Sequence, residues 1–324
     1  MSALKKPYPV FLFFLLSFLL FSTAGEAQYA KKIKTIIVDA GHGGTDDGAH
    51  SEYRGSLNSK EKDVTLAITL KLVEALKQAL PDVNIVPTRT TDIYQNPREK
   101  AKIANDNHGD LFVCIHADAV VLKTASKIIG HRTETYYTTR HVGKGKSRKT
   151  VRTRHTRVVP IREYYKLPTD RKGTSTLILA PHKTSAKTEA LESSEIFNTD
   201  ANDSTIDINY DSPEWKASAL LYTQRFFKRS YKLATDVQDE IAATGRDNLG
   251  VWQRQKGIWV LQATQMPAVL IETGFIDNYE DERYLNSEKG QQEIAESITR
   301  ALIKYKNDVE SGQGNMNVDA LKNQ

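Results

Sequence analysis

Three side chains able to bind a metal or transfer a proton come directly after short apolar segments. His42 follows the segment TIIVDAG, His116 follows LFVCI, and Glu272 follows PAVLI. Such runs, rich in β-branched residues, are typical of buried strands. Because the carboxyl ends of parallel strands lie at one edge of an open α/β sheet, we expect these side chains to meet there. Glu61, at the start of the next helix, joins them only if the preceding loop folds back over that edge.

This set of side chains suits a metal-dependent hydrolase. Two histidines and a carboxylate with an open fourth position form a catalytic zinc site, and zinc lowers the pKa of its bound water to about 7. A second carboxylate must stay off the metal to carry a proton to the leaving amine, and Glu272 fits that role. Each residue alone more often has an ordinary structural role, so the prediction depends on their coincidence. The glycines after His42 match no phosphate-loop motif, and H-E-x-x-H is absent.

The elements that position these residues alternate between strands and helices. Strands are predicted at Thr35–Val38, Val83–Val86, Leu111–Ile115, Gly257–Leu261 and Pro267–Ile271. Helices are predicted from Glu61 to Leu80, Pro97 to Asn105, Ser212 to Gly245, and around Ile294 to Tyr305. The alternation predicts an α/β fold with a mostly parallel twisted sheet and helices on both faces. We expect a single catalytic domain over residues 31–306 and a polar, disordered tail over 307–324.

Residues 123–211 interrupt this pattern and predict a long insertion in the catalytic domain. Thr133–Thr138 could form a strand, but a basic run, a small apolar patch and an acidic, Asn-rich stretch follow. We expect the basic run, Arg140–Lys172, to be a solvated, flexible segment, with attraction to acidic wall or lipid surfaces as the alternative. Nucleic-acid binding is disfavoured because the chain carries an export signal.

Met1–Ala27 has the pattern of a signal peptide. Two lysines precede the apolar run Val10–Phe21, which is shorter than the roughly 20 residues that a spanning helix needs. Small residues then provide cleavage positions after Ala24 or Ala27. We therefore expect an exported protein, periplasmic or otherwise secreted, with no stable membrane anchor after cleavage. Cys114 is the only cysteine, so no intramolecular disulfide can form, and its apolar surroundings predict an inert core residue.

Several segments, in order from about Ile33 to Tyr305, resemble the successive motifs of one enzyme family. They are VDAGHGG, EKD, TR, Arg98 with Ala104–Asn105, IHAD and PAVLIETGFIDN. Together they resemble zinc-dependent N-acetylmuramoyl-L-alanine amidases of the cell-separation type. Small departures from the usual pattern occur at Ala40, Cys114 and Asp118, where proline, serine and asparagine are commoner, and none of these is a proposed ligand.

The resemblance implies a specific chemistry. His42, Glu61 and His116 would bind one Zn²⁺ per chain, and Glu272 would be the catalytic acid/base. The substrate would be peptidoglycan, cleaved at the amide between N-acetylmuramic acid and L-alanine during wall remodelling and daughter-cell separation. The open alternatives are a zinc peptidase acting on the stem peptide and a non-catalytic wall-binding regulator. A degenerate regulator would usually lack one of these four residues.

The resemblance also suggests how the activity would be inhibited within the chain itself. Related cell-separation amidases carry an inserted helix that covers the zinc, with a glutamate at the open position. In this chain the segment 185–197 could form a short helix that offers Glu189, Glu192 and Glu195 as candidate autoinhibitory ligands. A protein activator would then displace the helix. A solvated acidic loop is the alternative for this segment.

Overall fold

A six-stranded sheet forms the centre of the molecule. The computed structural model describes residues 32–180, 212–254 and 258–312. The strands of this sheet are β1 Thr35–Ala40, β2 Asn84–Pro87, β3 Leu111–Asp118, β6 Thr174–Leu179, β7 Asn248–Arg254 and β8 Ala268–Phe275. Their order is β2-β1-β3-β8-β6-β7, and all neighbours are parallel except β8 and β6. The mostly parallel sheet predicted from the sequence is confirmed.

Helices cover both faces of the sheet. They are α1 Glu61–Ala79, α2 Pro97–Asp106, α3 Pro213–Ala242, α4 Trp259–Ala263, α5 Tyr279–Leu285 and α6 Glu288–Glu310. On one face, α1, α3 and α6 bury apolar side chains with Val38 and Val113; on the other, α2 and α4 pack against Ile37 and Phe112. Because alternate residues of each strand face opposite cores, the strands read as continuous apolar runs.

Two predicted elements differ in the structure. The strand predicted at Gly257–Leu261 is wrong: Trp259–Ala263 form α4, and the strand of this region is β7. A short apolar run has no periodicity that separates a strand from a buried helical turn. The last helix also continues past residue 306 to Glu310, because Val309 is buried and Glu310 Oε1 accepts a hydrogen bond from the Ile33 amide at 2.9 Å. Residues 313–324 of the predicted tail lie outside the described residues.

The predicted insertion contains two different structures. Strand β6 lies inside residues 123–211 yet belongs to the central sheet, where its residues are mostly buried. The strands β4 Thr124–Val142 and β5 Lys149–Lys166 form a separate antiparallel pair, which we call the ribbon. The flexible segment expected for the basic run is therefore wrong for the part within the ribbon. Residues 181–211 lie outside the described residues.

The proposed signal peptide, residues 1–27, also lies outside the described residues. Within the parts of the chain that are described, none of the helices has both the length and the apolar character needed to cross a bilayer.

Candidate metal centre and active site

His42, Glu61 and His116 come together at the carboxyl edge of the sheet. His42 Nε2 lies 3.1 Å from Glu61 Oε2, and His116 Nδ1 lies 2.8 Å from Glu61 Oε1. One ligand atom from each residue lies within 4.8 Å of the others. The loop before α1 does fold back over this edge, because the Ala49 amide donates to Glu61 Oε2 at 2.8 Å and the Ala49 carbonyl accepts from the Glu61 amide at 2.9 Å.

The hydrogen bonds around His42 orient its ring towards this cluster. Its Nδ1 lies 2.8 Å from Asp46 Oδ2, which leaves Nε2 to face Glu61. A carboxylate on the far nitrogen is the usual arrangement behind a metal-binding histidine. Burial lowers the pKa of His42, but hydrogen bonds and charge attraction from Glu61 and Asp46 outweigh it and raise the pKa to about 9. The sequence pattern does not single out Asp46, since its role depends on the turn.

The carboxylate of Glu61 is the negative centre of the cluster. Burial raises its pKa, but hydrogen bonds and charge attraction from His116 and His42 outweigh burial and hold the pKa well below its usual range. Histidine binds metal as the neutral imidazole, so a metal ion bound here would replace the proton that His42 shares with this carboxylate. Two imidazole nitrogens and one carboxylate oxygen are a donor set that zinc accepts, so the residues fit a zinc ion.

Glu272 lies beside this cluster without joining it. Glu272 on β8 is the register partner of His116 on the neighbouring strand β3. Only 8% of the surface of Glu272 is exposed to solvent. Its Oε2 is buried and has no hydrogen-bond partner among the described residues. Burial is the main cause that raises the pKa of Glu272 to about 7; Asp118 and Glu61 add to the rise, and His116 opposes it. A carboxyl group with a pKa near neutrality is suited to proton transfer.

Arg89 fixes the backbone that carries two of the candidate ligands. Its guanidinium donates to the carbonyls of Ala40, Gly41 and Lys62 at 3.2, 2.9 and 2.8 Å. The first two carbonyls precede His42, and the third follows Glu61. A buried carbonyl without a partner costs free energy, so this side chain joins the two backbone segments into one rigid unit. The motif TR in the sequence contains Arg89, but only the fold shows what it contacts.

A buried ion pair lies directly behind the His42 turn. Lys100 Nζ lies 3.0 Å from Asp39 Oδ1 and donates to the Ala40 carbonyl at 2.5 Å. The Cys114 thiol donates to Asp39 Oδ2 at 2.9 Å. Burial raises the pKa of Asp39, but Lys100 and hydrogen bonds from Cys114 and Thr88 outweigh it and lower the pKa. Cys114 is therefore a buried hydrogen-bond donor, in the core as predicted, and burial raises the pKa of its thiol.

Glu282 of α5 supports the loop that leads into Glu61. Its carboxylate accepts hydrogen bonds from the Tyr53 hydroxyl, the Leu57 amide at 2.9 Å and the Ser59 hydroxyl at 2.8 Å. Burial raises the pKa of Glu282, but these hydrogen bonds outweigh it and lower the pKa. More than 220 residues separate the carboxylate from its donors along the chain, so sequence patterns give no signal for this contact.

Gly48 provides a direct test of the packing around the candidate ligands. A Cβ atom there would lie 2.6 Å from both Glu61 Oε2 and His42 Cδ2. Replacing Gly48 with alanine is expected to displace both side chains and weaken zinc affinity about 10–100-fold, the range seen when groups that support metal ligands are changed. Competition with a chromophoric chelator measures this affinity.

Gly55→Ala is the matched control for Gly48→Ala. Both glycines lie in the loop before α1 with positive φ, +67° at Gly48 and +88° at Gly55, so alanine introduces backbone strain of about 1 kcal/mol at either position. A Cβ at Gly55 has no atom within 4 Å. Equal zinc affinity in the two variants would contradict the close packing of Gly48 against the ligands.

The candidate autoinhibitory residues Glu189, Glu192 and Glu195 lie outside the described residues. Their role at the open position of the metal centre stays a prediction.

Comparison with protein families identifies the chain. The sequence model described as N-acetylmuramoyl-L-alanine amidase, Amidase_3, matches residues 36–304. The chain belongs to this family. The matched region contains His42, Glu61, His116 and Glu272, and membership confirms the resemblance drawn from the sequence motifs.

Individual relatives of this Amidase_3 chain differ in length. The probable N-acetylmuramoyl-L-alanine amidase AmiB of Haemophilus influenzae is 26% identical over 294 residues, which cover 90% of this chain and 56% of that protein. The uncharacterized protein YqiI of Bacillus subtilis is 25% identical over 86% of this chain and 89% of its own length. The chain thus spans about half the length of AmiB and most of YqiI.

A solved structure supports the fold. The N-acetylmuramoyl-L-alanine amidase from Clostridium difficile 630 superposes with a TM-score of 0.52 at 23% identity, covering 86% of this chain and 98% of that one. The likeness shows that the two chains share the α/β architecture.

Proposed function

We propose that this chain is a zinc-dependent hydrolase of peptidoglycan that cleaves the amide between N-acetylmuramic acid and L-alanine. The observation that carries the proposal is the meeting of His42, Glu61 and His116 beside a buried, unpartnered Glu272 in a member of the amidase family. His42, Glu61 and His116 would hold the zinc ion. When bound, zinc polarises the amide carbonyl and lowers the pKa of water.

Glu272 is the proton carrier in this proposal. With a pKa near 7, its carboxylate accepts a proton from the attacking water and then donates it to the amide nitrogen as the C–N bond breaks. The products are a carboxyl group on the lactyl side of the muramic acid and a free amine on L-alanine. Because burial keeps Glu272 out of bulk water, the proton stays at the reacting atoms.

Analysis of reaction products distinguishes the proposed activity from its alternatives. Purified peptidoglycan is digested with the full-length protein and the soluble products are identified by mass spectrometry. An amidase releases whole stem peptides that begin with L-alanine. A peptidase leaves L-alanine attached to the glycan, and a non-catalytic wall-binding protein releases nothing although zinc is bound. Either of the last two results would refute the proposed bond specificity.

The chain is proposed to act outside the cytoplasm, where its substrate lies. The sequence pattern of residues 1–27 supports export, and an exported hydrolase of the wall needs restraint. The segment carrying Glu189, Glu192 and Glu195 is our candidate for that restraint, with a protein activator that relieves it.

A further inference from the structure

The ribbon is exposed to solvent over most of its length. Its strands β4 and β5 pair from Thr124 opposite Lys166 to Val142 opposite Lys149, and no further strand joins them among the described residues. At about 3.3 Å per residue, the 19 residues of β4 extend roughly 60 Å. Almost every side chain between Arg140 and Arg154 is exposed. An isolated two-stranded pair is only marginally stable, so its size calls for a functional explanation.

The charge on the ribbon is mostly positive: Glu134 and Glu163 are its only acidic residues, and Glu134 pairs with Arg157 at 2.8 Å. Between Thr135 and Arg162 the sequence contains nine basic residues and no Asp or Glu. The nine are Arg140, Lys144, Lys146, Arg148, Lys149, Arg152, Arg154, Arg157 and Arg162. All nine are exposed, and because alternate residues of a strand face opposite sides, they cover both faces and the tip. The ribbon therefore produces a long region of positive potential that attracts polyanions.

The base of the ribbon lies at the edge of the sheet that holds the metal centre. β4 begins six residues after Asp118, the end of the strand that carries His116. The Lys166 carbonyl accepts from the Arg54 amide at 2.9 Å, in the loop that leads to Glu61. The Arg54 guanidinium also lies 4.8 Å from the centre of the Tyr165 ring. A polymer bound along the ribbon would thus be held next to the metal centre.

We propose that the ribbon is a cationic arm that binds peptidoglycan strands through the carboxylates of their stem peptides and holds them beside the metal centre. The choice of ligand rests on the proposed function, because peptidoglycan is the polyanion that the site would cleave. Regularly spaced carboxylates along a flexible polymer match cations that are spread from the tip along β5 to Arg162. Because the base of the ribbon lies next to the metal centre, one peptidoglycan strand can contact both.

An anionic membrane fits the ribbon less well. Proteins that lie on membranes combine cations with apolar or aromatic side chains that enter the lipid. The tip of the ribbon, residues 143–147, has the sequence GKGKS and offers no such side chain. The exposed aromatic residues of the ribbon, Tyr136, Tyr137 and Tyr164, lie on its strands and not at the tip, where Val142 is the nearest exposed apolar residue. The cations also extend from the tip along β5 instead of being gathered at the tip alone.

The alternative role of the positive charge is to keep the exposed edges of the ribbon from pairing with other chains. Exposed strand edges pair with other chains, and lysine or arginine on an edge prevents this. That role needs no ligand, so it predicts aggregation without any change in wall binding when the charge is removed. The experiment below separates the two.

The test compares two triple variants of the full-length protein. The tip variant carries Lys144→Gln, Lys146→Gln and Arg148→Gln. The control carries Lys77→Gln, Lys102→Gln and Lys289→Gln, which remove the same charge from exposed positions on the helices. Binding is measured by co-sedimentation with purified peptidoglycan sacculi at 4 °C and at several salt concentrations. Circular dichroism and thermal unfolding establish that both variants are folded.

The arm predicts about tenfold weaker binding for the tip variant at low salt, since electrostatic attraction of this kind contributes about 10–10³-fold. The control should change binding less than twofold. Sacculi whose carboxylates have been converted to amides should bind the unaltered protein about as weakly as untreated sacculi bind the tip variant. Turnover of a small soluble N-acetylmuramoyl peptide, which cannot reach along the ribbon, should be the same in the tip variant and the unaltered protein.

Several results would refute the proposal that the ribbon binds peptidoglycan. They are equal losses in the two triple variants, unchanged binding to amidated sacculi, and aggregation of a tip variant that still binds sacculi normally. Tip-dependent binding to vesicles of anionic phospholipid without tip-dependent binding to sacculi would assign the ribbon to a membrane instead. Because co-sedimentation requires no hydrolysis, a protein that binds through its tip but cleaves nothing would refute the proposed function and leave the arm in place.

Discussion

Replacing Glu272 with glutamine is expected to leave the zinc content unchanged and to lower peptidoglycan hydrolysis by about 10²–10⁴-fold, the range that a general acid/base contributes. Glutamine has nearly the shape of glutamate but cannot carry the proton. The buried Oε2 of Glu272 has no hydrogen-bond partner among the described residues, so the substitution breaks no described contact of that atom. Release of soluble peptide from sacculi measures the activity, and elemental analysis measures the zinc.

The control for this variant is Glu280→Gln, an exposed glutamate in α5 that pairs with Lys172. It should retain full activity. Hydrolysis by Glu272→Gln at a near-normal rate would mean that another group transfers the proton. Loss of zinc from Glu272→Gln would identify Glu272 as a ligand, and the role of Glu61 would have to be assigned again.

His42→Ala and His116→Ala are each expected to remove most of the bound zinc and with it the activity. Each variant leaves only two of the three donors of the proposed site, and the Glu61 carboxylate loses one imidazole partner. The purified protein should contain about one zinc ion per chain, and each variant only a small fraction of that.

His131→Ala is the control for the two histidine variants. His131 lies exposed on the ribbon, away from the cluster, so its loss should leave the zinc content unchanged. Full zinc occupancy in both His42→Ala and His116→Ala would exclude this ligand set. Loss of zinc with retained activity would show that the reaction does not depend on the metal.

The core of the fold and the meeting of the four site residues could be predicted from sequence because their signals are local. A parallel strand buried on both faces is a continuous apolar run, and the residue that ends it lies at a defined edge of the sheet. His42 lies just beyond the end of β1, and His116 and Glu272 lie near the carboxyl ends of β3 and β8, which continue to Asp118 and Phe275. Glu61 needed one further condition, the folding of its loop, which the contacts of Ala49 satisfy.

The groups that support the site could not be predicted in the same way. Glu282, Arg89 and Lys100 act on residues 27 to 229 positions away, and their contacts exist only once the sheet and helices are assembled. Gly48 looks like any glycine of a polar loop until Glu61 and His42 are placed against it. The ribbon escaped prediction for another reason. Its threonine, valine and tyrosine residues favour strands, but the density of positive charge is typical of a solvated segment.

The position of β8 affects the order in which the residues of the proposed active site assemble during folding. This strand is the last along the part of the chain that the structure describes, yet it lies between β3 and β6 in the middle of the sheet. During synthesis, all residues of the candidate metal centre are present once residue 116 has been added, whereas Glu272 follows more than 150 residues later. Pairing between such distant segments is late and slow in folding. A growing chain would therefore bring His42, Glu61 and His116 together before Glu272 joins them, and the proposed hydrolysis would begin only when β8 enters the sheet.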